Sequence, residues 1–387
     1  MSKIPLDKAC DLLSEIAEDI TARESIQVDQ EAQWPEESIR ALQASGLGGL
    51  VVPEESGGMG FGLLGLARAC EILGRKCAST ALCFGMHSVG SAVIAAKATD
   101  DQKQRYLEPI AAGEHLTTLA LSEPGTGAHF YYPETRLEHA TLESYQVNGR
   151  KCFVTNGGHA DSYVISTVAS DPDAPLGQFS FALVDRELEG LEWGEKWSGL
   201  GMRGNSSRVL TLSNVTLPRK DILGDEGDQI WYVFYVVGPY FLTAMAGTYL
   251  GLANAAFEEA REHLRTRRYS HSGNTLSQAS VLQHRLGSLW GKVVRAQQLL
   301  YYAARQGDVG GSDALPILFS AKAEIAETAV DVVNECMTLC GGIGYADGSK
   351  LGRLLRDVRA AHIMSPTTDI LRVWTGRSLL GLPLLEE

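Results

Sequence analysis

The sequence has little that would mark an exported, membrane-embedded or nucleic-acid-binding protein. Its seven cysteines, Cys10, Cys70, Cys77, Cys83, Cys152, Cys336 and Cys340, are odd in number and include no CxxC pair. That pattern excludes a disulfide framework and fits reduced thiols in the cytoplasm. Cys336 and Cys340 stand one helical turn apart, but no His or second Cys pair accompanies them, so they read as core residues and no metal is expected. No apolar run is long enough to cross a bilayer. The opening MSKIPLDKACDLL has neither the apolar core nor the small-residue cleavage site of a signal peptide. Positive charge is scarce: 34 Lys and Arg against 47 Asp and Glu leave a net charge of −13. A chain built to hold a phosphate backbone shows the opposite balance, so no nucleic-acid partner is expected. What remains is a 387-residue chain, 44% hydrophobic and 21% charged, with the makeup of a globular protein of one large unit or two to three domains.

Three stretches of different period follow one another. In residues 5–23, Leu6, Cys10, Leu13, Ala17 and Ile20 recur at three- and four-residue spacing, which predicts an amphipathic helix. Pro35 at a first helical position and Gly46 after Ser45 bracket a second. Residues 63–76, 78–97 and 100–112 read as further helices, the last with Thr99 as N-cap. From residue 116 to about 227 β-branched and aromatic residues alternate with polar ones, and Asn148-Gly149 between two such runs predicts a two-residue hairpin turn. From about residue 229 the helical period returns in long segments near 231–268, 276–305 and 314–339, then shorter ones. The expected architecture is therefore α+β and multidomain: an N-terminal helical domain (1–115), a middle β-domain (116–228) and a C-terminal helical bundle (229–387). Pro239 lies inside one of the long segments and predicts a kink.

Gly57-Gly58-Met59-Gly60-Phe61-Gly62 has the look of a dinucleotide loop, but its flanks are helical and it reads as a connection. Three other stretches carry more. LALSEPGTGA (119–128) runs a strand into a Pro/Gly turn that leaves backbone amides and the Ser122 hydroxyl free to meet a ligand. NGRKCFVTNGG (148–158) reads as a hairpin with Phe153 and Thr155 on one face, a flat ring and a hydroxyl suited to a planar heterocycle. LCGGIGYADGSKLGRLLRDVRAAHIMSPTTDIL (339–371) joins a double-Gly turn to a helix and starts another at Pro366, with Ser365 as its N-cap.

In this order and spacing, with GMRGNSSRVLTLSNVTLPRKDILGDEG (201–227) between the second and third, the sequence resembles the acyl-CoA dehydrogenase family over nearly its whole length. The resemblance implies FAD bound between the β-domain and the bundle. It implies that Leu121 and Ser122 meet the flavin ring, that Phe153 packs on it, and that Thr155 bonds near its reactive edge. Gly341 and Gly342 would touch the adenine half across a subunit interface, and Thr367 and Asp369 would open the helix that receives the pyrophosphate. It further implies a homotetramer or homodimer acting on an acyl thioester.

The acyl side departs from the family pattern. The family's usual base, a Glu two residues before the Thr matched by Thr367, is Ser365 here. The alternative base position on the first bundle helix is Phe241, and the Ser that commonly touches the thioester arm is Ala128, followed by His129. A hydroxyl without an activating partner is a poor base at neutral pH. His87, on a helix that lines the family's acyl pocket, and Asp369, one turn after Ser365, are the substitute candidates; His129 and Tyr131 are further groups placed to face the ligand. The expected function is FAD-dependent oxidation of an atypical acyl thioester, bound to CoA or to a carrier protein. The alternatives are an elimination or cyclisation on the same fold, or a non-catalytic partner in a hetero-oligomer.

Overall fold

The computed structural model describes residues 4–171, 173–174, 177–227 and 230–385; the boundary expected at 228 and 229, like the chain ends at 1 and 387, lies outside them. Helices occupy the chain up to Ala112, strands run from Thr117 to Leu223, and helices resume at Ile230. The order expected from the changing period is the order observed.

The first helix is longer than its apolar stripe suggests. Leu6–Ile16 passes through a five-residue π turn, Ala17–Thr21, into Ala22–Gln30 without interruption. Ala78–Lys97 has the predicted limits, and every residue from Ala78 to Ile94 is buried. A helix apolar on all sides belongs at the centre of a protein or in a membrane. By length and composition this helix and Ile230–Thr266 are both able to span a bilayer, contrary to the expectation of no such run, but 94% and 61% of their apolar windows are covered by the protein's own core. Gly90 seats the central helix against the β-domain: a Cβ there would come 3.1–3.3 Å from Thr117 and Thr118. Thr99 caps the next helix, accepting from the Gln102 amide while Gln102 returns a bond to the Thr99 N–H.

Two four-stranded sheets form the middle. β1 (Thr117–Ala120) lies parallel to β4 (Ser162–Val168), with β5 (Phe179–Asp185) and β8 (Ile222–Leu223) antiparallel beyond it. The second sheet is antiparallel throughout, in the order β2 (Arg136–His139), β3 (Ser144–Val154), β7 (Arg208–Pro218), β6 (Leu191–Trp193). The hairpin expected at Asn148-Gly149 does not form. β3 runs straight through it with only a register shift between Val147 and Gly149. Two neighbours explain this: Asn148 Oδ1 accepts from the Asn214 amide at 2.7 Å, and a Cβ on Gly149 would meet the Thr135 hydroxyl at 2.4 Å. Partners on both sides use the pair as a close-approach point of a long strand.

In the bundle, Gly238–Thr266, Ser280–Val309 and Ala314–Cys340 are the long helices. Pro239, where a kink is expected, stands in the first turn of Gly238–Thr266, which a π turn, Val233–Val237, leads into. The wider turn avoids the clash of the proline ring with a carbonyl one α turn earlier.

Candidate active site

The two motifs that flank β1 and end β3 are locked together by a buried ion pair. Lys151 and Glu123 have side chains 0% and 1% exposed and are in direct contact. Glu123 also accepts from the Thr135 hydroxyl at 2.7 Å, from the Thr135 amide, and from the Glu134 amide. Lys151 also donates to the Ser166 carbonyl and hydroxyl at 2.5 and 3.0 Å, and to the Leu121 carbonyl at 3.5 Å. Burial lowers the Lys151 pKa to about 8, against the pull of the Glu123 carboxylate. Backbone bonds complete the clamp: the Cys152 amide donates to the Ser122 carbonyl at 2.7 Å, and the Thr118 hydroxyl to the Thr155 carbonyl at 3.0 Å. Sequence reasoning passed over Glu123 and Lys151, although Glu123 is the one charge in LALSEPGTGA and Lys151 is of opposite sign.

Leu121 and Ser122 are half-buried beside this clamp, and the Ser122 hydroxyl has no hydrogen-bond partner among the described residues. Phe153 and Thr155 do not share a face as expected. β3 ends at Val154 after a second register shift, Phe153 takes φ +54°, and Asn156 takes φ +60°. The period of two therefore stops before Thr155. Phe153 is thrown outward, 66% exposed, while Thr155 turns inside with its hydroxyl 3.4 Å from that of Ser207. A left-handed conformation is costly for residues with a Cβ and persists only where tertiary contacts impose it. Here the imposing contacts are on Asn156, which accepts from the Trp34 indole N–H and donates to the Cys83 carbonyl, both at 2.9 Å. The exposed Phe153 ring meets Trp197 edge-on, centroids 6.0 Å apart. One wall of a site is thus an open aromatic face with a free hydroxyl beside it.

The second segment that the sequence points to is the turn before the Thr368–Leu379 helix. Thr367 is the N-cap, in extended conformation and without a side-chain capping bond, so the first-turn amides are open. Ser365 is not the cap, contrary to expectation. The reason lies behind it: the buried Lys322 ammonium donates to the carbonyls of Ala361 (3.1 Å), Met364 (3.3 Å) and Pro366 (2.9 Å), which ties the short helix Ala360–Ile363 and the turn after it outside the Thr368–Leu379 helix. Burial lowers the Lys322 pKa to about 8. Ser365 itself is half-buried and makes no hydrogen bond among the described residues.

A cavity of about 260 Å³ brings His129, Tyr131 and Asp369 together with Trp374 and Arg377. Within it the His129 Nδ1 and Tyr131 hydroxyl are 2.8 Å apart. Ala128 is half-buried just before it. His87 is not part of any such opening. It is 2% exposed; its Nδ1 accepts the Thr117 amide at 3.1 Å, and its Nε2 donates to the Gly48 carbonyl at 3.0 Å. Desolvation lowers its pKa to about 4. Both nitrogens are occupied by backbone, which removes His87 as a base or substrate contact. Phe241 is half-buried against the core and does not line the cavity with His129 and Asp369. Gly341 and Gly342 are exposed at the end of the Ala314–Cys340 helix, with open space around both.

Comparison with known proteins agrees with this arrangement. Sequence models of the acyl-CoA dehydrogenase N-terminal, middle and C-terminal domains match residues 8–114, 118–215 and 243–380. The cyclohex-1-ene-1-carbonyl-CoA dehydrogenase of Geobacter metallireducens is 30% identical over 374 residues, 96% of each chain. The short-chain-specific acyl-CoA dehydrogenase of Clostridium acetobutylicum is 28% identical over 93% of each. The solved butyryl-CoA dehydrogenase of Megasphaera elsdenii superposes with a TM-score of 0.90 at 25% identity, covering 97% of this chain and 98% of that one. The open Phe153 face, the free Ser122 hydroxyl and the uncapped helix terminus at Thr367 fit the FAD that this family carries. The chain belongs to the acyl-CoA dehydrogenase family and is an FAD-dependent oxidoreductase.

Proposed function

We propose that the protein oxidises an atypical acyl thioester, carried by CoA or by a carrier protein, and that the proton acceptor is a group other than residue 365. The observation that carries this reading is the contrast between the two walls. The aromatic wall is built at the expense of backbone strain at Phe153, while position 365 offers an unpartnered hydroxyl. FAD, when bound, supplies the hydride acceptor. The chain's own residues have three tasks: Phe153 and Ser122 present the ring, the Thr367 terminus holds the pyrophosphate, and a titratable side chain takes the α-proton. The His129–Tyr131 pair and Asp369 share one cavity and are the groups placed for the last task. Two relatives are named for cyclohex-1-ene-1-carbonyl-CoA, so cyclic acyl thioesters head the candidate substrates.

Subunit assembly belongs to the same proposal. Ile343 and Tyr345 follow Gly341-Gly342 and are 62% and 81% exposed, as residues awaiting a partner surface would be. A cytoplasmic homotetramer or homodimer with shared FAD sites accounts for this.

The test is anaerobic titration of the flavin-loaded protein with straight-chain and cyclic acyl thioesters, as CoA and as carrier conjugates, with Ser365→Glu in parallel. Bleaching of the wild-type flavin supports the reading, and its loss in His129→Ala or Asp369→Asn assigns the base. Bleaching by the variant alone overturns it in favour of an elimination or a non-catalytic subunit.

A further inference from the structure

A second cavity, of about 810 Å³, opens between residues 22–30 of the first helix, Arg75 and Lys76 after the Leu63–Gly74 helix, the 199–203 loop and residues 347–356. None of the flavin-wall residues or those of the His129 cavity line it. Six of its sixteen lining residues are basic, against 34 of 387 in the chain, and the chain as a whole is net acidic by 13 charges. Two more of the lining residues, Asp29 and Asp347, are acidic, and the surplus of basic side chains over them focuses an anion into the cleft.

The cations divide into two groups. Four are matched to carboxylates: Arg75 to Glu258, Lys76 to Glu18 at 2.6 Å, Lys350 to Glu259 at 3.3 Å, and Arg356 to Asp29 through two nitrogens. The other two are not. Arg353 donates to the Ser25 hydroxyl at 2.7 Å and to the Lys76 carbonyl at 3.3 Å, which orients it, and the buried Asp357 acts on it only at a distance, outside any ion pair. Arg203 is half-buried and makes neither hydrogen bond nor ion pair among the described residues. Two guanidiniums outside any ion pair in one cleft are suited to a ligand with more than one phosphate, since each fork takes two oxygens. The rim also carries Ile26 and Leu200, 59% and 68% exposed, an apolar flank for a flat ring. The volume is that of an ordinary small-molecule site.

We propose that this cleft binds a nucleoside diphosphate, with its phosphates on Arg203 and Arg353 and its base against Ile26 and Leu200. The site is separate from the flavin and acyl walls, so the ligand acts as an effector or an anchor and takes no part in the oxidation. The proposal does not rest on the identity of the acyl substrate.

The test is isothermal titration of the FAD-loaded protein with ADP, pyrophosphate and adenosine. Saturable ADP binding is expected, weaker pyrophosphate binding and no adenosine binding. Arg203→Ser, which breaks no hydrogen bond or ion pair within the fold, is expected to weaken ADP at least about tenfold, and Arg353→Ser similarly. Arg377→Ser, in the other cavity, should leave ADP binding unchanged. Absence of saturable binding up to about 10 mM, or equal affinity in Arg203→Ser, overturns the site. Pyrophosphate binding as tightly as ADP overturns the assignment of the base to Ile26 and Leu200.

Discussion

Replacing Lys151 by Met tests whether the buried ion pair is what holds the segments around Ser122 and Phe153 together. The ammonium has no exposure and the carboxylate almost none, so neither is solvated when its partner is removed. Lys151→Met leaves Glu123 charged, buried and dependent on the Thr135 hydroxyl and the amides of Thr135 and Glu134. Removing one member of such a pair costs about 3–5 kcal/mol, because the remaining charge stays desolvated. Glu123→Gln combined with Lys151→Met removes both charges and is expected to recover about 2 kcal/mol or more of that loss. The clamp also joins the Ser122 turn to the Phe153 end of β3, so FAD affinity falls with stability in the single variant. Urea denaturation followed by tryptophan and flavin fluorescence measures both. A single variant that loses less than about 1 kcal/mol, or a double variant as unstable as the sum of the singles, refutes the reasoning.

Two buried groups predict opposed pH dependences. His87, lowered from 6.5 to about 4, contributes stability that is present above pH 6.5 and is lost as pH falls through 4; Asp357, raised from 3.8 to about 6, contributes stability present below pH 3.8 and lost as pH rises through 6. Each spans up to about 3 kcal/mol, so their slopes largely cancel between pH 4 and 6 in the wild type. Asp357→Asn leaves the His87 slope alone, and denaturation midpoints should then drop steeply below pH 6; an unchanged profile refutes the assignment. Phe153→Gly relieves a left-handed residue that is 66% exposed. Stability should hold or rise by about 1 kcal/mol while FAD binding weakens, and a variant that loses stability without losing FAD would show that Phe153 serves packing instead.

Much of the fold was legible because it is written in short-range patterns. The Ala78–Lys97 helix and its Thr99-capped successor each announce themselves within a few residues of sequence. The errors fall where a distant residue overrides the local signal. Asn148-Gly149 is a turn by its own propensity and a strand by virtue of Asn214 and Thr135. Ser365 is a good N-cap in isolation, but Lys322, 43 positions earlier, takes the surrounding carbonyls. His87 reads as a titratable group on a pocket helix until Thr117 and Gly48 claim both its nitrogens.

The sequence alone determined the succession of helices, sheets and bundle and the motifs that carry the family likeness, because period, turn chemistry and residue identity are local properties. Tertiary structure alone decided that Glu123 meets Lys151, that Phe153 faces outward while Thr155 does not, and that His129, Tyr131 and Asp369 share one cavity. Burial and charge pairing depend on which distant segments converge, and no window along the chain contains that information.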